Sequence, residues 1–270
     1  MSDRKSAHDK SALRPSSTVL MVRDGADGLE VFMVKRNHAI DFASGAMVFP
    51  GGKLAEGDSD PVLMGRHARP GSFDPALTPF AFGAIREAFE ESGLLLARAK
   101  GDSALLPASR VEALGHWREP LNRGDKTLRD MAEAEGLDYA LDTLIPFAHW
   151  ITPEVMPKRF DTWFFLAPAP ADQIGVHDGS ESVESEWVGA QAALDDWEAK
   201  TRTIVFATRM QLVKLARASS MAEAIAITQQ DTIVDVMPVL DKESFAEPHL
   251  RIPAAAGYGV TEVPLSRVGM

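Results

Sequence analysis

Residues 86–94 read REAFEESGL and hold the most informative pattern in the chain. They end a segment, 80–92, in which apolar residues recur at helical spacing, and Gly93 follows where a helix C-terminus favours a left-handed residue. On this predicted helix three carboxylates lie three or four positions apart and share one face: Glu87, Glu90 and Glu91. The opposite face is apolar, so the helix can pack on a core while its acidic face points into a cleft.

The acidic face is open to two interpretations. Like charges at these spacings destabilise an isolated helix by a few tenths of a kcal/mol per pair. Arg86, four positions before Glu90, is one candidate to offset this repulsion. A divalent cation is a stronger candidate, because Mg²⁺ takes oxygen ligands from carboxylates and from substrate phosphates. The alternative is a solvated acidic surface, which is the usual meaning of a charge run on a helix.

Composition excludes several classes of protein. The chain has 270 residues, of which 45% are hydrophobic and 25% charged, as in an ordinary soluble domain. A formal net charge of −11 disfavours nucleic acid as a partner. The absence of cysteine excludes disulfides, thiolate metal sites and a cysteine nucleophile. No apolar run approaches the roughly 18–20 residues of a membrane span, so we expect no membrane partner and a cytoplasmic location.

Strand and helix patterns alternate irregularly along the chain. Two apolar runs around Asp-Gly pairs, 18–22 and 29–34, predict a β-hairpin. Further strands are predicted at 45–49, 144–152, 159–166, 186–188 and 232–239. Further helices are predicted at 190–200, 204–218 and 221–227, with two short ones within 105–137 broken near 120–124. This order favours an α/β or α+β sandwich over a regular doubly wound sheet.

A second motif, Phe49-Pro50-Gly51-Gly52, closes the third predicted strand. Two glycines after a proline allow the backbone to approach another group closely. Taken alone, the motif is better explained as a turn.

Together the two motifs resemble the signature of the Nudix hydrolases. That signature has a glycine, five residues, a glutamate, seven residues and then Arg-Glu-apolar-x-Glu-Glu-x-Gly-apolar. Gly52 matches its first half, and the second half matches at Arg86, Glu87, Ala88, Glu90, Glu91, Gly93 and Leu94. The chain departs from the family where Asp58 replaces the first glutamate. An insertion, 58–78, also makes the motif about twenty residues longer than the uninterrupted form.

Sequence outside the motif resembles one branch of the family, the acyl-coenzyme A diphosphatase-like members with an interrupted box. The similarity includes Phe42, Gly45 and the FPGG run. It continues at 149–153 (HWITP), 159–165 (RFDTWFF) and 181–187 (ESVESEW). The fuller signature of the coenzyme A diphosphatases is not matched, because Ile40, Asp41 and Ala43 stand at its positions.

The resemblance implies a Nudix-type α/β/α sandwich with a mixed sheet, helical insertions and a helical C-terminal extension. It implies Mg²⁺ or Mn²⁺ on Glu87, Glu90 and Glu91, with Glu90, Glu91 and Arg86 as catalytic residues. The implied activity is cleavage of a nucleoside diphosphate linked to another moiety, with coenzyme A or acyl-coenzyme A favoured. Two alternatives stay open: ADP-ribose or dinucleoside polyphosphate as substrate, or a non-catalytic nucleotide-binding module.

Other residues are candidates for the same site. We expect Gly51, Gly52, Arg36 and Arg159 to bind a small-molecule diphosphate. Glu181 and Glu184 are candidates for a base or an extra metal ligand. His149 and Trp150 are either packing residues or contacts to the substrate, and Arg159 with Asp161 is either an ion pair or a phosphate contact.

The domain organisation follows from the same reading. We predict a disordered leader at 1–15, one Nudix domain at 16–240 and a C-terminal tail at 241–270. A helix over 204–218 rich in apolar residues belongs to the core or to the interface of a homodimer.

Overall fold

The structure is a computed structural model that describes residues 12–37, 45–65, 73–177, 179 and 182–268. Several predicted features lie outside the described residues. They are most of the leader, the segment 40–43, the centre of the insertion and Glu181.

Thirteen strands are assigned within the described residues. In chain order they are β1 (Leu13–Gly25), β2 (Gly28–Arg36), β3 (Met47–Val48), β4 (Gly51–Lys53), β5 (Ala97–Ala99), β6 (Leu137–Tyr139), β7 (Ile145–Ile151), β8 (Arg159–Pro168), β9 (Ser182–Gly189), β10 (Asp235–Val236), β11 (Val239–Asp241), β12 (His249–Arg251) and β13 (Glu262–Pro264).

Seven α-helices accompany the strands in the same part of the chain. They are α1 (Thr78–Ser92), α2 (Ala108–Ala113), α3 (Arg118–Asn122), α4 (Leu128–Glu135), α5 (Ala190–Glu198), α6 (Phe206–Leu215) and α7 (Met221–Gln230). Among the residues that the structure describes, no helix has both the length and the apolar character needed to cross a membrane.

The main sheet is mixed, as predicted. Its strands run in the order β10-β7-β8-β1-β2-β3, with β4 also paired to β1 and β9 to β2. The pairs β1–β8 and β10–β7 are parallel, and the other pairs are antiparallel. The long strand β1 therefore joins the two halves of the sheet, because it pairs with β8 along one edge and with β2 and β4 along the other.

Both faces of the sheet are covered, which confirms the sandwich. Alternate residues of β1 enter different cores, since Val19 and Met21 pack with α1 whereas Leu20 and Val22 pack with α5 and α6. All four side chains are fully buried. A strand buried on both faces reads as a continuous apolar run, which is what residues 18–22 show.

The sheet begins earlier than the sequence suggested. Residues 13–15, assigned to the leader, already belong to β1 and pair in parallel with residues 159–161 of β8. The pairing explains how a polar segment is ordered, because the ladder satisfies its backbone groups without needing apolar side chains.

The region 105–137 differs in detail from the prediction of two helices. Three short helices form there, α2, α3 and α4, with a 3₁₀ turn at Gly115–Trp117. The chain breaks between the end of α3 at Asn122 and the start of α4 at Leu128, close to the predicted break at 120–124, although Pro120 itself lies inside α3. A proline is tolerated there because it occupies the first turn, where its missing N–H has no helical partner.

The C-terminal tail is part of the fold. Strands β11, β12 and β13 form a small antiparallel sheet. Tyr258 is buried, accepts a hydrogen bond from Nε1 of Trp150 at 2.8 Å and donates one to Oε1 of Gln211 at 3.0 Å. The helical extension is present as α6 and α7, and the tail adds short strands whose three-residue length gives no readable periodicity.

Candidate functional site

Helix α1 positions the predicted carboxylates. It ends at Gly93, which has the left-handed φ of 71° and donates its N–H to the carbonyl of Phe89. Ile85, Ala88 and Phe89 are at most 1% exposed and fix the helix on the core, as predicted. The acidic face is therefore held in one orientation relative to the sheet.

Arg86 lies at the centre of this acidic face. Its Nη1 donates to Oε1 of Glu87 at 2.9 Å and to Oε2 of Glu90 at 3.0 Å. Its Nη2 donates to the carbonyl of Lys53 at 2.8 Å. One guanidinium thus links two carboxylates of the helix to the strand that carries the FPGG glycines.

Asp58, the residue that departs from the family pattern, binds the same guanidinium. Nε of Arg86 donates to Oδ1 of Asp58 at 3.0 Å, and Nη2 donates to Oδ2 at 3.0 Å. The shorter side chain reaches because residues 56–59 form a 3₁₀ turn, and Oδ2 also accepts the N–H of Ala55 at 2.8 Å. Asp58 therefore orients the arginine in spite of the missing methylene.

The two FPGG glycines lie against the carboxylates of Glu87 and Glu91. The N–H of Gly51 donates to Oε2 of Glu91 at 3.2 Å. A Cβ added at Gly52 would lie only 2.5 Å from Oε1 of Glu87, so a larger residue would collide with that carboxylate. The structure therefore brings both halves of the signature together. Position 52 requires glycine because the carboxylate of Glu87 lies so close to its backbone.

We call Asp58, Arg86, Glu87, Glu90 and Glu91 the α1 cluster. All of them are less than 9% exposed, which excludes the solvated acidic surface. Burial raises the pKa of Glu90 to about 8, although Arg86 counteracts part of the shift. Burial would lower the pKa of Arg86, but the charges of Glu87, Asp58 and Glu90 raise it above its ordinary value.

The α1 cluster fits a divalent cation in its donor chemistry. It holds four carboxyl groups against one guanidinium, and Oε1 of Glu90 is buried without a hydrogen-bond partner within the described structure. Buried carboxylates in excess need a positive partner. No three His, Asp or Glu side chains of the described residues converge as a ready metal site. The reason is visible, since Glu87 and Glu90 are directed at Arg86 and Glu91 at Gly51.

The remaining predicted site residues lie around the sheet. Arg36 is at the end of β2, and its Nε is buried with no hydrogen-bond partner among the described residues. Glu184 lies on β9 and pairs with Lys35 at 3.1 Å, with 66% of its side chain exposed. Arg159 lies on β8, where its Nε donates to the carbonyl of Thr152 at 3.1 Å. Among the described residues, none of these three side chains forms a hydrogen bond or ion pair with the α1 cluster.

One cluster was not found from the sequence. His149 lies between two carboxylates, with Nε2 at 2.5 Å from Oδ1 of Asp161 and Nδ1 at 2.7 Å from Oδ1 of Asp235. Its ring stacks on Trp163 at 4.4 Å. Asp161 therefore pairs with His149, and Trp150 is a packing residue of the second core. Asp235 comes 86 positions after His149, and only the parallel pairing of β10 with β7 brings them together.

Comparisons with known proteins place this geometry in a family. Residues 59–217 match the family model described as the NUDT19 Nudix domain. The acyl-coenzyme A diphosphatase NUDT19 of Xenopus laevis is 26% identical over 208 residues, which cover 63% of this chain and 55% of that protein. The chain thus spans about half the length of this relative. The crystal structure of a NUDIX hydrolase from Alicyclobacillus acidocaldarius has a TM-score of 0.68 and 26% identity, and covers 80% of this chain and 96% of that one. Since the family model takes in more than half of the chain, the protein belongs to the Nudix hydrolase family, in the branch that the NUDT19 Nudix domain defines.

Proposed function

We propose that the protein is a divalent-cation-dependent pyrophosphohydrolase. Its substrate is a nucleoside diphosphate linked to another moiety, and coenzyme A or acyl-coenzyme A is the favoured example. The observation that carries the proposal is the α1 cluster, a buried set of carboxylates with excess negative charge next to a glycine-lined strand. The name of the Xenopus laevis relative supports acyl-coenzyme A as the substrate class.

In this proposal Glu87, Glu90 and Glu91 hold Mg²⁺ or Mn²⁺. A bound divalent cation polarises a phosphoryl oxygen and lowers the pKa of a coordinated water. Without such a cation, the buried acidic charge would repel a diphosphate. With a bound cation, the same cluster would attract the diphosphate.

The chain's own residues supply orientation and proton transfer. Arg86 holds Glu87 and Glu90 in register, and Asp58 fixes Arg86 from the opposite side. Glu90 is our candidate base, because its Oε1 is buried and has no hydrogen-bond partner among the described residues. Arg36 and Arg159 are proposed contacts for substrate phosphates. Glu184 and Glu181 are further candidates for the base.

The reaction is the hydrolysis of a phosphoric anhydride. Water attacks one phosphorus atom, the bond from that atom to the bridging oxygen breaks, and the water proton passes to the base. From coenzyme A the products are 3′,5′-ADP and phosphopantetheine. From an acyl-coenzyme A they are 3′,5′-ADP and the acylated phosphopantetheine.

The test is a product screen of the purified full chain with Mg²⁺ and with Mn²⁺. Coenzyme A, an acyl-coenzyme A, ADP-ribose and a dinucleoside polyphosphate are each incubated with the protein, and products are separated by chromatography. Release of 3′,5′-ADP supports the proposal. Cleavage of ADP-ribose or the dinucleoside polyphosphate in its place would assign another substrate to the same site. No cleavage of any of them, together with nucleotide binding, would reject the enzyme in favour of a binding module.

A further inference from the structure

A second candidate site lies on the opposite face of the sheet from the α1 cluster. A groove of about 370 Å³ runs between α5, α6 and the C-terminal segment 260–267. This volume is within the range of small-molecule sites in proteins, about 300–1,000 Å³. The apolar side chains that line the groove are Leu194, Trp197, Met210, Val213, Val260, Val263 and Pro264.

Arg209 lines this groove and is only 3% exposed. Its guanidinium carbon lies 3.7 Å from the ring centroid of Trp197 and 5.3 Å from that of Phe206. Its Nη1 donates to the backbone carbonyl of Arg267 at 2.6 Å. Over the described part of the chain, no carboxylate forms an ion pair with Arg209, which is uncommon for a buried arginine.

The surrounding charges leave this cation unbalanced. Burial lowers the pKa of Arg209 to about 10, and the charge of Arg267 adds to the lowering, so the side chain is still positive at neutral pH. Of the three carboxylates that line the groove, Glu198 pairs with Arg267, and neither Asp195 nor Glu262 forms an ion pair with Arg209 within the described residues. A buried cation with an aromatic face and one carbonyl as partners favours an anionic ligand.

The mouth of the groove limits the charge of that ligand. Asp195 and Glu262 line the groove and are exposed, and Asp195 already accepts a hydrogen bond from Gln191. These acidic groups repel a ligand with several negative charges, such as a diphosphate. They tolerate a single negative charge that is delivered to the buried guanidinium.

We propose that the groove binds a monocarboxylate with a hydrocarbon chain. The carboxylate lies on Arg209, and the chain packs against Leu194, Met210 and Val213. The groove belongs to the core formed with α5 and α6, whereas the α1 cluster belongs to the other core. The inference therefore does not depend on the activity proposed for the α1 cluster.

The test is calorimetric titration of the full chain with octanoate, 1-octanol and octyl phosphate. We expect octanoate to bind at one site. The neutral alcohol should bind at least about tenfold more weakly, because a hydrogen bond to a charged group is lost. The titrations are done at pH 8, where octyl phosphate carries nearly two negative charges. It should also bind more weakly than octanoate, because the acidic groups at the mouth of the groove repel it. Glu91→Gln should leave octanoate affinity unchanged.

Two variants and a control locate the binding. Arg209→Met should weaken octanoate binding by about tenfold or more. Val260→Trp fills the groove from a position that is 41% exposed, so it should abolish binding and leave the melting temperature unchanged. The control is Arg217→Met, which removes an exposed arginine paired with Asp231 and should bind octanoate like the wild type.

Three results would overturn the proposal. One is the absence of octanoate binding to the wild type. Another is equal affinity of the wild type and Val260→Trp for octanoate. This result would exclude the groove as the binding site even if Arg209→Met fails to fold. The third is a dimer in sedimentation velocity that Val260→Trp disrupts while octanoate does not bind, which would assign the groove to a second copy of the chain.

Discussion

Arg86 and Arg209 are both more than 90% buried, and their electrostatic surroundings are opposite. Arg86 contacts three carboxylates, and a fourth, Glu91, lies on the same helical face. Arg209 contacts an aromatic ring and a carbonyl group. The first region therefore carries an excess of buried negative charge, and the second carries an excess of buried positive charge.

The two arginines show how a buried charge can indicate a ligand. A structural ion pair balances itself, so it gives no information about function. An unbalanced group is costly unless a ligand of opposite sign completes it. The α1 cluster therefore favours a cationic ligand, and the groove at Arg209 favours an anionic ligand. Substitutions in each region test whether the two surroundings differ in this way.

Replacing the two arginines should give opposite results. Arg86→Met leaves Asp58, Glu87 and Glu90 buried without their cation, so we expect the free energy of unfolding to fall by about 3–5 kcal/mol. Arg209→Met leaves no carboxylate unpaired. The relief of desolvation offsets the lost contact to Trp197, and the change should be within about 1 kcal/mol. Urea denaturation of both variants measures the two values.

Equal losses of stability in these two variants would remove the distinction between the regions. If Arg86→Met is too unstable to purify, Arg86→Lys is the substitute. It keeps the charge but loses the bidentate contact to Asp58. Its free energy of unfolding should therefore lie between those of the wild type and Arg86→Met.

Removing one carboxylate should affect activity far more than stability. Glu91→Gln eliminates a proposed metal ligand, and we expect turnover to fall by about 10²–10³-fold. The melting temperature should stay nearly unchanged, since the amide oxygen can still accept the N–H of Gly51 and one like charge is gone. Steady-state kinetics with Mg²⁺ and calorimetry check both. Glu133→Gln, an exposed residue of α4, is the control. Retained activity of Glu91→Gln would reject the assignment of the site.

A methyl group at Gly52 should disturb the α1 cluster without touching its charges. In Gly52→Ala the new Cβ lies 2.5 Å from Oε1 of Glu87, so the carboxylate must move. We expect a loss of about 1–3 kcal/mol in stability and of about 10²-fold in turnover. In the matched variant Gly115→Ala, the new Cβ has no heavy atom within 4 Å. If both variants behave like the wild type, the glycine does not set the position of Glu87.

A further prediction concerns the pH dependence of stability. The pKa of Glu90 in the folded chain is about 8, above its ordinary value of 4.5, so the folded state binds the proton more tightly. In the metal-free protein the contribution of Glu90 to stability is therefore complete below pH 4.5 and is lost as the pH rises to about 8. Urea denaturation in EDTA should show this decline, and Glu90→Gln should reduce it. An identical pH dependence in both proteins would exclude Glu90 as its source.

Local patterns in the sequence predicted α1 and its acidic face, because helical spacing fixes which side chains meet. The contact between Gly52 and Glu87 could be predicted only from the family resemblance, since 34 positions separate the two motif halves. The contact of Asp58 with Arg86 depends on a 3₁₀ turn, which hydrophobic periodicity does not predict. His149 with Asp235, and Arg209 in its groove, follow from strand order and helix packing, which single-sequence patterns do not specify.

Anomalous diffraction from crystals of the full chain soaked in Mn²⁺ tests directly whether the α1 cluster binds a divalent cation. We expect a manganese peak bound by the carboxylates of Glu87 and Glu91, and no such peak in Glu91→Gln crystals treated in the same way. A map in which the α1 cluster holds no manganese, while the ion is bound elsewhere or nowhere, would contradict this expectation.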